Sequence, residues 1–318
     1  MRALLWFVGR KLAGVLMTVA VASLAIFAAL YVAPGDPASL LAGGHQPSPD
    51  ALARIRAQYH LDDPFAAQYW HWLSGVLSGN PGESMVLGEP VTALIGARVL
   101  NTALLVGYAS VLILGIGVTG GIVSALGRRS LDVAITGTTT VLIAAPAFVA
   151  AIVLIWVFAI ELAWFPVYGS GTGFADRIHH LTLPAVALSL SYLAYVTRVT
   201  RSEVRAAAEA DHVAAAAARG LRRRTVLRRH VLRNAAPPVL AVSGVTVAGL
   251  FAGTAVAEQA FGVPGLGSLL VQSAARQDLA VVQVLALLLV AAFVLVNMLV
   301  DVVNAVLDPR LLRSGESA

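Results

Sequence analysis

The chain has no cysteine and little charge. Without cysteine it can form no disulfide, no thiolate nucleophile and no cysteine-ligated metal site. Only 12% of its 318 residues are charged and 58% are hydrophobic, whereas soluble domains usually carry about a quarter charged residues. This deficit excludes a soluble protein of this length, and it predicts that lipid surrounds most of the chain.

The sequence also lacks the motifs of a nucleotide hydrolase or of another enzyme. It contains no Walker phosphate loop, and no Ser-His-Asp or paired-carboxylate arrangement stands out. A G-x-G-x-x-G pattern at Gly115–Gly120 lies in an apolar run, without the preceding strand that a dinucleotide fold needs, so Gly117 and Gly121 indicate close helix packing instead. His179 and His180 are adjacent, which is poor geometry for a shared metal ion. We therefore predict no catalytic, cofactor-binding or metal-binding residue.

What the sequence does contain is apolar runs long enough to cross a bilayer, which takes about 20 helical residues. The first run is longer than the roughly 7–15 apolar residues of a signal peptide, so we expect a retained helix. The third run is interrupted by Pro146. We predict an all-α, polytopic membrane protein with six transmembrane helices, at about 12–32, 100–126, 134–162, 181–197, 239–257 and 280–307.

These runs divide the chain into three parts. The division is an N-terminal transmembrane helix (1–33), a polar extracytoplasmic region with short amphipathic helices (34–98), and a five-helix core (99–318). The orientation rests on charge, because loops rich in Lys and Arg stay in the cytoplasm. With both termini inside, the cytoplasmic segments hold seventeen of the 22 basic residues. We therefore expect a multi-pass protein of the cell membrane with cytoplasmic termini.

Ten of the basic residues lie in one polar loop, residues 198–238, between the fourth and fifth runs. Its alanine-rich part predicts a helix over Val204–Arg219, a left-handed turn at Gly220, and a second helix over Leu221–Asn234 that Pro237-Pro238 stops. Such a short, stiff element can transmit a push from a soluble partner to the spans that it joins. An arginine-rich helix pair could also suggest DNA binding, but its confinement between two spans argues against a nucleic-acid partner.

This loop resembles the cytoplasmic EAA loop of ABC importer permeases, in the form of the dipeptide/oligopeptide/nickel family. That family's pattern is roughly D-Y-V-R-T-A-R-A-K-G, then about a dozen residues, then H-x-x-R-N-A-x-x-P. His212 stands where the family has tyrosine and Arg219 where it has lysine, and three polar positions are alanine here. The positions that match are Asp211, Val213, Ala216, Ala218, Gly220, His230, Arg233, Asn234, Ala235 and Pro238.

Four further segments resemble the same family, and they follow one another in the expected order. LYVAPGDPASLLAG (30–43) is similar to its L-x-P-G-D-P segment. EQAFGVPGLGSLL (258–270) is similar to its E-x-x-F-x-x-P-G-L-G segment, and NMLVDVVNAVLDPRL (297–311) to its N-L-x-D-x-x-Y-x-x-x-D-P-R segment. LDDPFAAQYWHWLSGVLSGNPGES (61–84) also fits the family pattern, with Asn80 in place of aspartate. The resemblance therefore covers the whole chain.

The resemblance implies a permease subunit that works by alternating access in the membrane lipid. It implies as partners a second homologous permease chain, two cytoplasmic ATPase subunits that hold ATP and Mg, and an extracytoplasmic substrate-binding protein whose docking residues the sequence does not mark. Peptides are the expected substrate, while nickel, glutathione, haem or sugars stay open. The residues expected to couple to the ATPases are Glu209, Asp211, His212, Val213, Ala216, Arg219, Gly220 and Leu221.

Two polar residues of the last run form a separate candidate site. Asn297 and Asp301 are four residues apart, so they lie on one face of a helix. They are either an inner gate or polar packing inside the bundle, and we favour packing because intramembrane polar groups usually pair within a bundle. A secondary transporter or channel, which would need charged relays in its spans, and an intramembrane enzyme are the alternatives from other classes.

Overall fold

The computed structural model describes residues 2–32, 48–58, 62–84 and 86–307. Most of the segment that resembles L-x-P-G-D-P (30–43) lies outside these residues, and so does the D-P-R end (308–310) of the last family segment. The described part of the chain is helical and contains no β-strand, apart from an isolated bridge between Glu83 and Pro90. Its helices are α1 (Arg2–Val32), α2 (Pro49–Gln58), α3 (Phe65–Leu77), α4 (Val91–Leu126), α5 (Arg129–Ala144), α6 (Ala147–Glu161), α7 (Phe174–Ala208), α8 (Asp211–Ala218), α9 (Arg223–Ala260), α10 (Leu266–Ala275) and α11 (Leu279–Leu307).

Five of these helices, α1, α4, α7, α9 and α11, are long and apolar enough to cross a bilayer. Helices α5 and α6 pass the same test together, with a bend of 105° between them. The bend falls at Ala145-Pro146, where Pro146 lacks an N–H group and Ala145 is extended with ψ of 122°. The all-α polytopic prediction is confirmed, and its six spans correspond to the five helices plus this bent pair.

The expected end of the second loop helix at Pro237-Pro238 is wrong. Both prolines lie inside α9, which continues into the membrane. Just before them, Leu227–Leu232 forms a widened, π-helical turn. Local π adjustments of this kind let a membrane helix accommodate the hydrogen bonds that proline removes. The helix that follows the polar loop therefore runs through the two prolines into the span, and no break separates the loop from the span at this point.

Residues 258–278, expected to form an outer loop, are also more ordered than predicted. Helix α9 continues to Ala260, and after a short turn α10 follows with its Leu266, Leu269 and Ser273 side chains buried. A helix of ten residues spans only about 15 Å, so α10 is too short to cross the membrane. It lies at the end of the bundle opposite the basic loop, which we call the far end.

Helix α7 is the centre of the bundle. It packs against α4, α5, α6 and α9, while α11 packs on α9 and α1 packs on α11. The close approach of α4 to α7 depends on glycine, because a Cβ at Gly121 would lie 2.7 Å from the carbonyl oxygen of Thr197. This confirms that Gly117 and Gly121 pack against a neighbouring helix. The core includes Leu105, Val106, Ala109, Ile113, Leu181, Ala185, Leu188, Leu250 and Phe261.

Candidate functional site

The candidate site is the connection between α7 and α9, with α8 at its centre. The predicted single helix from Val204 to Arg219 is wrong, because α7 ends at Ala208 and α8 begins at Asp211. Ala210 between them is extended, with φ of −71° and ψ of 142°. Alanine propensity alone favours a continuous helix. The break instead lets Val204 and Val213 pack in one apolar cluster, and this tertiary burial decides the local structure.

That cluster, which we call the loop cluster, holds α8 against the bundle. Its members come from α7, α8 and α9, and each is at most 8% exposed. Burying a valine side chain stabilises a fold by about 1.5–3 kcal/mol, and α8 contributes one buried valine, Val213, together with Ala216. The cluster therefore joins α8 to both flanking spans. The loop cluster consists of Val204, Val213, Ala216, Val226, Val231 and Ala235.

The end of α8 has the left-handed glycine that the sequence predicts. Gly220 has φ of 76°. Its N–H group donates to the carbonyl of Ala217 at 2.9 Å, and the N–H group of Leu221 donates to the carbonyl of Ala216 at 3.4 Å. These two bonds are those of a Schellman motif. They fix the direction in which the chain leaves α8 toward α9.

The predicted coupling residues divide into a buried and an exposed set. Val213 and Ala216 are buried in the loop cluster, so they can hold α8 in place but offer little surface to a partner. Leu221, at 43% exposure, is an exposed apolar side chain between Arg219 and Arg222 in the sequence. Exposed are Glu209, Asp211, His212, Arg219, Gly220 and Leu221, and their coupling role stays a prediction.

His212 has a structural contact that the sequence did not reveal. Its Nε2 atom lies 2.8 Å from the side-chain amide nitrogen of Asn234, which donates to it and also to the carbonyl of His230 at 2.8 Å. The contact ties α8 to α9 across the exposed side of the loop. His212, which stands where the family has tyrosine, thus has a hydrogen-bond partner within this chain.

An ion cluster beside the loop was missed by sequence reasoning. Asp132 of α5 accepts hydrogen bonds from Arg201 of α7, with the Nη2 bond at 2.7 Å, and from the hydroxyl of Ser124 of α4 at 2.6 Å. Arg205 lies 3.6 Å from the same carboxylate and 3.3 Å from Glu209. The cluster links three helices just before α8. The only signal in the sequence was that Asp132 is a single acidic residue just before an apolar run, while the end of α7 is rich in arginine.

The candidate pair in the last span is resolved into two different contacts. Asp301 accepts from the ammonium group of Lys11 of α1 at 2.6 Å. The amide of Asn297 donates to the carbonyl of Phe293 in its own helix at 2.9 Å. Opposite charges in apolar surroundings stabilise each other when they pair, so this geometry supports packing between α1 and α11. Neither contact tests a gating role, which stays a prediction.

His179 and His180 lie with a third possible metal ligand, Asp176, which the sequence analysis did not count. Ligand atoms of the three side chains all lie within 4.8 Å of one another. The Nδ1 atom of His180 is 2.9 Å from the carbonyl of Asp176, and the Nε2 atom of His179 is 2.9 Å from the carbonyl of Trp164. One nitrogen of each ring therefore contacts a backbone carbonyl of this chain, which leaves the other nitrogen of each ring for a different partner.

Comparison with known proteins agrees with this architecture. The family model described as "Binding-prot-dependent transport system membrane comp, N-term" matches residues 4–97, and "Binding-protein-dependent transport system inner membrane component" matches residues 117–313. An oligopeptide transport system permease of Bacillus subtilis is 37% identical over 292 residues, which cover 90% of this chain and 92% of that protein. A glutathione transport system permease of Escherichia coli is 35% identical over 311 residues, or 95% and 97% of the two chains.

Solved structures show the same fold at low sequence identity. Two inward-facing crystal forms of the MetNI methionine ABC transporter match with TM-scores of 0.52 and 0.55 at 15% and 16% identity. Each match covers 68% of this chain and 96% of that chain. The spans make it a multi-pass membrane protein, and the family models cover most of its length. The chain belongs to the family of binding-protein-dependent transport system inner membrane components.

Proposed function

We propose that this chain is the permease subunit of an ATP-driven importer of peptides. The family description names transport that depends on a binding protein, and two of its relatives are named as permeases for oligopeptides and for glutathione, itself a tripeptide. Relatives with peptide substrates favour peptides over nickel, haem or sugars for this chain.

The proposed assembly contains a second homologous permease, two cytoplasmic ATPase subunits and an extracytoplasmic binding protein. ATP and Mg would be bound by the ATPase subunits, since this chain carries no phosphate loop in its sequence. The basic loop at the α8 end would face the cytoplasm, because loops rich in arginine stay inside. The far end, with α10, would then face the binding protein.

The geometry of α8 carries the proposal. Its buried face is packed into the loop cluster between α7 and α9, its exposed side carries Asp211, His212 and four alanines, and the exposed Arg219 and Leu221 follow directly after it. A partner that moves while bound to the exposed face would move the two spans through the buried face. ATP binding and hydrolysis in the partner would shift the permease between outward-open and inward-open states through their different affinities.

The test is purification of the tagged chain in mild detergent, with identification of every co-purifying subunit and assays of ATP hydrolysis and peptide uptake. We expect a second permease and ATP-hydrolysing subunits in stoichiometric amounts. Leu221→Asp should release the ATPase subunits, because it replaces the exposed apolar side chain that directly follows α8 by a charge. Leu77→Asp makes the same change at a 75% exposed leucine of α3, and it should leave the assembly intact.

Recovery of the chain alone, with transport driven by an ion gradient, would contradict the proposal and indicate a secondary transporter. The substrate is tested separately, by measuring binding of a peptide library, nickel and haem to the co-purified binding protein. Binding of nickel or haem but of no peptide would overturn the peptide assignment and leave the importer assignment in place.

A further inference from the structure

A fully buried carboxylate lies at the far end of the bundle, where nothing in the proposed mechanism uses it. Glu258 is 0% exposed and sits in the last turn of α9. Its Oε1 atom accepts from the hydroxyl of Thr102 of α4 at 2.6 Å, and its Oε2 atom accepts from the backbone N–H of Ser268 of α10 at 2.8 Å. Buried charged groups are kept only where such partners satisfy them.

The carboxylate and the Thr102 hydroxyl together cap the beginning of α10. The first N–H groups of a helix have no partner within the helix, and here they are buried. The N–H of Leu266 donates to the Thr102 hydroxyl at 2.8 Å, and that hydroxyl in turn donates to Glu258. Negative charge is stabilised at a helix N-terminus. The beginning of α10 is therefore held by side chains from two other helices as well as by its own Ser268, whose hydroxyl accepts from the N–H of Gly265 at 3.0 Å.

The glycines of the P-G-L-G segment permit this arrangement. A Cβ at Gly265 would overlap the Glu258 carboxylate, and a Cβ at Gly267 would lie 2.6 Å from the Cα of Ala255 in α9. Gly265 has φ of −116°, so it is needed for close approach and not for an unusual backbone conformation. The sequence motif that marks the family here encodes the contact between α10 and Glu258.

A second side chain of α4 extends the network. The amide nitrogen of Asn101 donates to the carbonyl of Pro264 at 2.9 Å, and its oxygen accepts from Arg177 of α7 at 3.2 Å. Residues 101 and 102 of α4 thus connect α7, α9, the turn after α9 and α10. We call this group the far-end network; its members are Asn101, Thr102, Arg177, Glu258, Pro264, Leu266 and Ser268.

The two spans that flank α8 carry both the loop cluster and the far-end network. On α9, Val231 of the loop cluster and Glu258 are 27 residues apart, which is about 40 Å of helix. On α7, Val204 of the loop cluster and Arg177 are also 27 residues apart. The far-end network therefore fastens together the opposite ends of the two helices on which a partner at α8 would act.

We propose that Thr102 and Glu258 are positioning residues that make the far ends of α4, α7, α9 and α10 move as one body, so that displacement at α8 opens and closes the far end. The inference rests on the proposed function. Without the Thr102 link, α10 would keep only its apolar contacts with Val91 and Leu94 of α4. Part of a rotation of α9 would then be taken up by local movement of α10 and would not reach the far-end surface.

The test uses the absence of cysteine from the chain. Ser273→Cys places a thiol on the buried face of α10, where Ser273 is 3% exposed, with little change in volume. In this background Thr102→Val removes the hydroxyl at nearly constant shape, and Thr102→Ser retains it as the matched control. The maleimide labelling rate of each complex is measured in detergent, and the ratio of peptide imported to ATP hydrolysed is measured in proteoliposomes.

We expect labelling to be roughly tenfold faster in Thr102→Val than in Thr102→Ser, because one lost buried hydrogen bond shifts a local opening equilibrium by about that factor. We also expect a several-fold lower import-to-ATP ratio in Thr102→Val and the original ratio in Thr102→Ser. Equal labelling of the two variants, or an unchanged ratio in Thr102→Val, would overturn the inference. If Thr102→Val does not assemble, Glu258→Gln replaces it, because the amide nitrogen cannot accept one of the two hydrogen bonds that the carboxylate accepts, and the same two outcomes then decide.

The two proposals fail in different ways. If the chain purifies without an ATPase, the proposed function fails, while the labelling contrast in the full chain still reports whether the Thr102 link holds α10. If ATP-driven import is found but the ratio does not depend on the hydroxyl, the positioning role fails and the importer assignment stands.

Discussion

The left-handed turn at Gly220 offers the sharpest single-residue test of the link between α8 and transport. A Cβ at this position would meet no atom of this chain within 4 Å, and φ is 76°. Within the chain, any effect of substitution therefore comes from the backbone and not from crowding. Gly220→Ala should cost about 1–2 kcal/mol, the penalty of a left-handed conformation for an ordinary residue. Asparagine tolerates this conformation better, so Gly220→Asn should cost less.

Proline is the most severe change. It fixes φ near −65°, which is incompatible with 76°. It also removes the N–H group that donates to Ala217 at 2.9 Å. The expected cost is about 3 kcal/mol or more, which shifts the equilibrium of the intact turn by more than a hundredfold, since 1.4 kcal/mol corresponds to a factor of ten. Gly220→Pro should therefore abolish ATP-driven uptake while the protein still inserts, because the spans themselves are unchanged.

The assay is peptide uptake into proteoliposomes, normalised to the amount of inserted chain. The expected order of activity is wild type, Gly220→Asn, Gly220→Ala and Gly220→Pro. If the partner surface were simply crowded by a side chain at this exposed position, the larger asparagine would be worse than alanine, and the middle of the order would be reversed. Normal uptake by Gly220→Pro would refute the coupling role of the turn.

Two further predictions concern helix packing. Gly244→Ala should destabilise the protein by about 1–3 kcal/mol through overpacking, because a Cβ there would overlap the side chain of Val300. The matched control is Gly249→Ala, since the nearest atom to a Cβ at Gly249 is 3.6 Å away. Thermal unfolding in detergent should show a lower melting temperature for Gly244→Ala and little change for Gly249→Ala. Lys11→Met or Asp301→Asn alone should lower the inserted yield, because each removes one member of an ion pair between spans. The double variant should recover part of this loss, and additive losses would contradict the pairing.

Much of the fold could be predicted from sequence because the decisive signals are local. Apolar length identified the spans, Pro146 marked the bend, and Gly220 marked the end of α8. Each depends on the chemistry of one residue or one run. Bilayer thickness and the backbone limits of proline and glycine act regardless of the rest of the protein.

The errors arose where tertiary contacts decide. The break at Ala210 serves the burial of Val204 and Val213 in one cluster, which no local propensity reveals. Pro237 lies inside a helix, although proline alone predicts a helix end. Glu258 directly follows the predicted fifth span, and the structure makes it a buried cap for a helix that begins eight residues later in the chain. Long-range partners of this kind cannot be inferred from one sequence without the fold.

The central claim is that the exposed face of α8 contacts an ATP-hydrolysing partner, and site-specific cross-linking tests it directly. Ala215→Cys places a thiol on the exposed face of α8, and Ser78→Cys places one at the far end; each is labelled with a photoreactive maleimide in the purified assembly. The account predicts that Ala215→Cys cross-links to the ATPase subunit, with a yield that changes when ATP is added, and that Ser78→Cys does not. A cross-link to the ATPase from Ser78→Cys but none from Ala215→Cys would contradict the account.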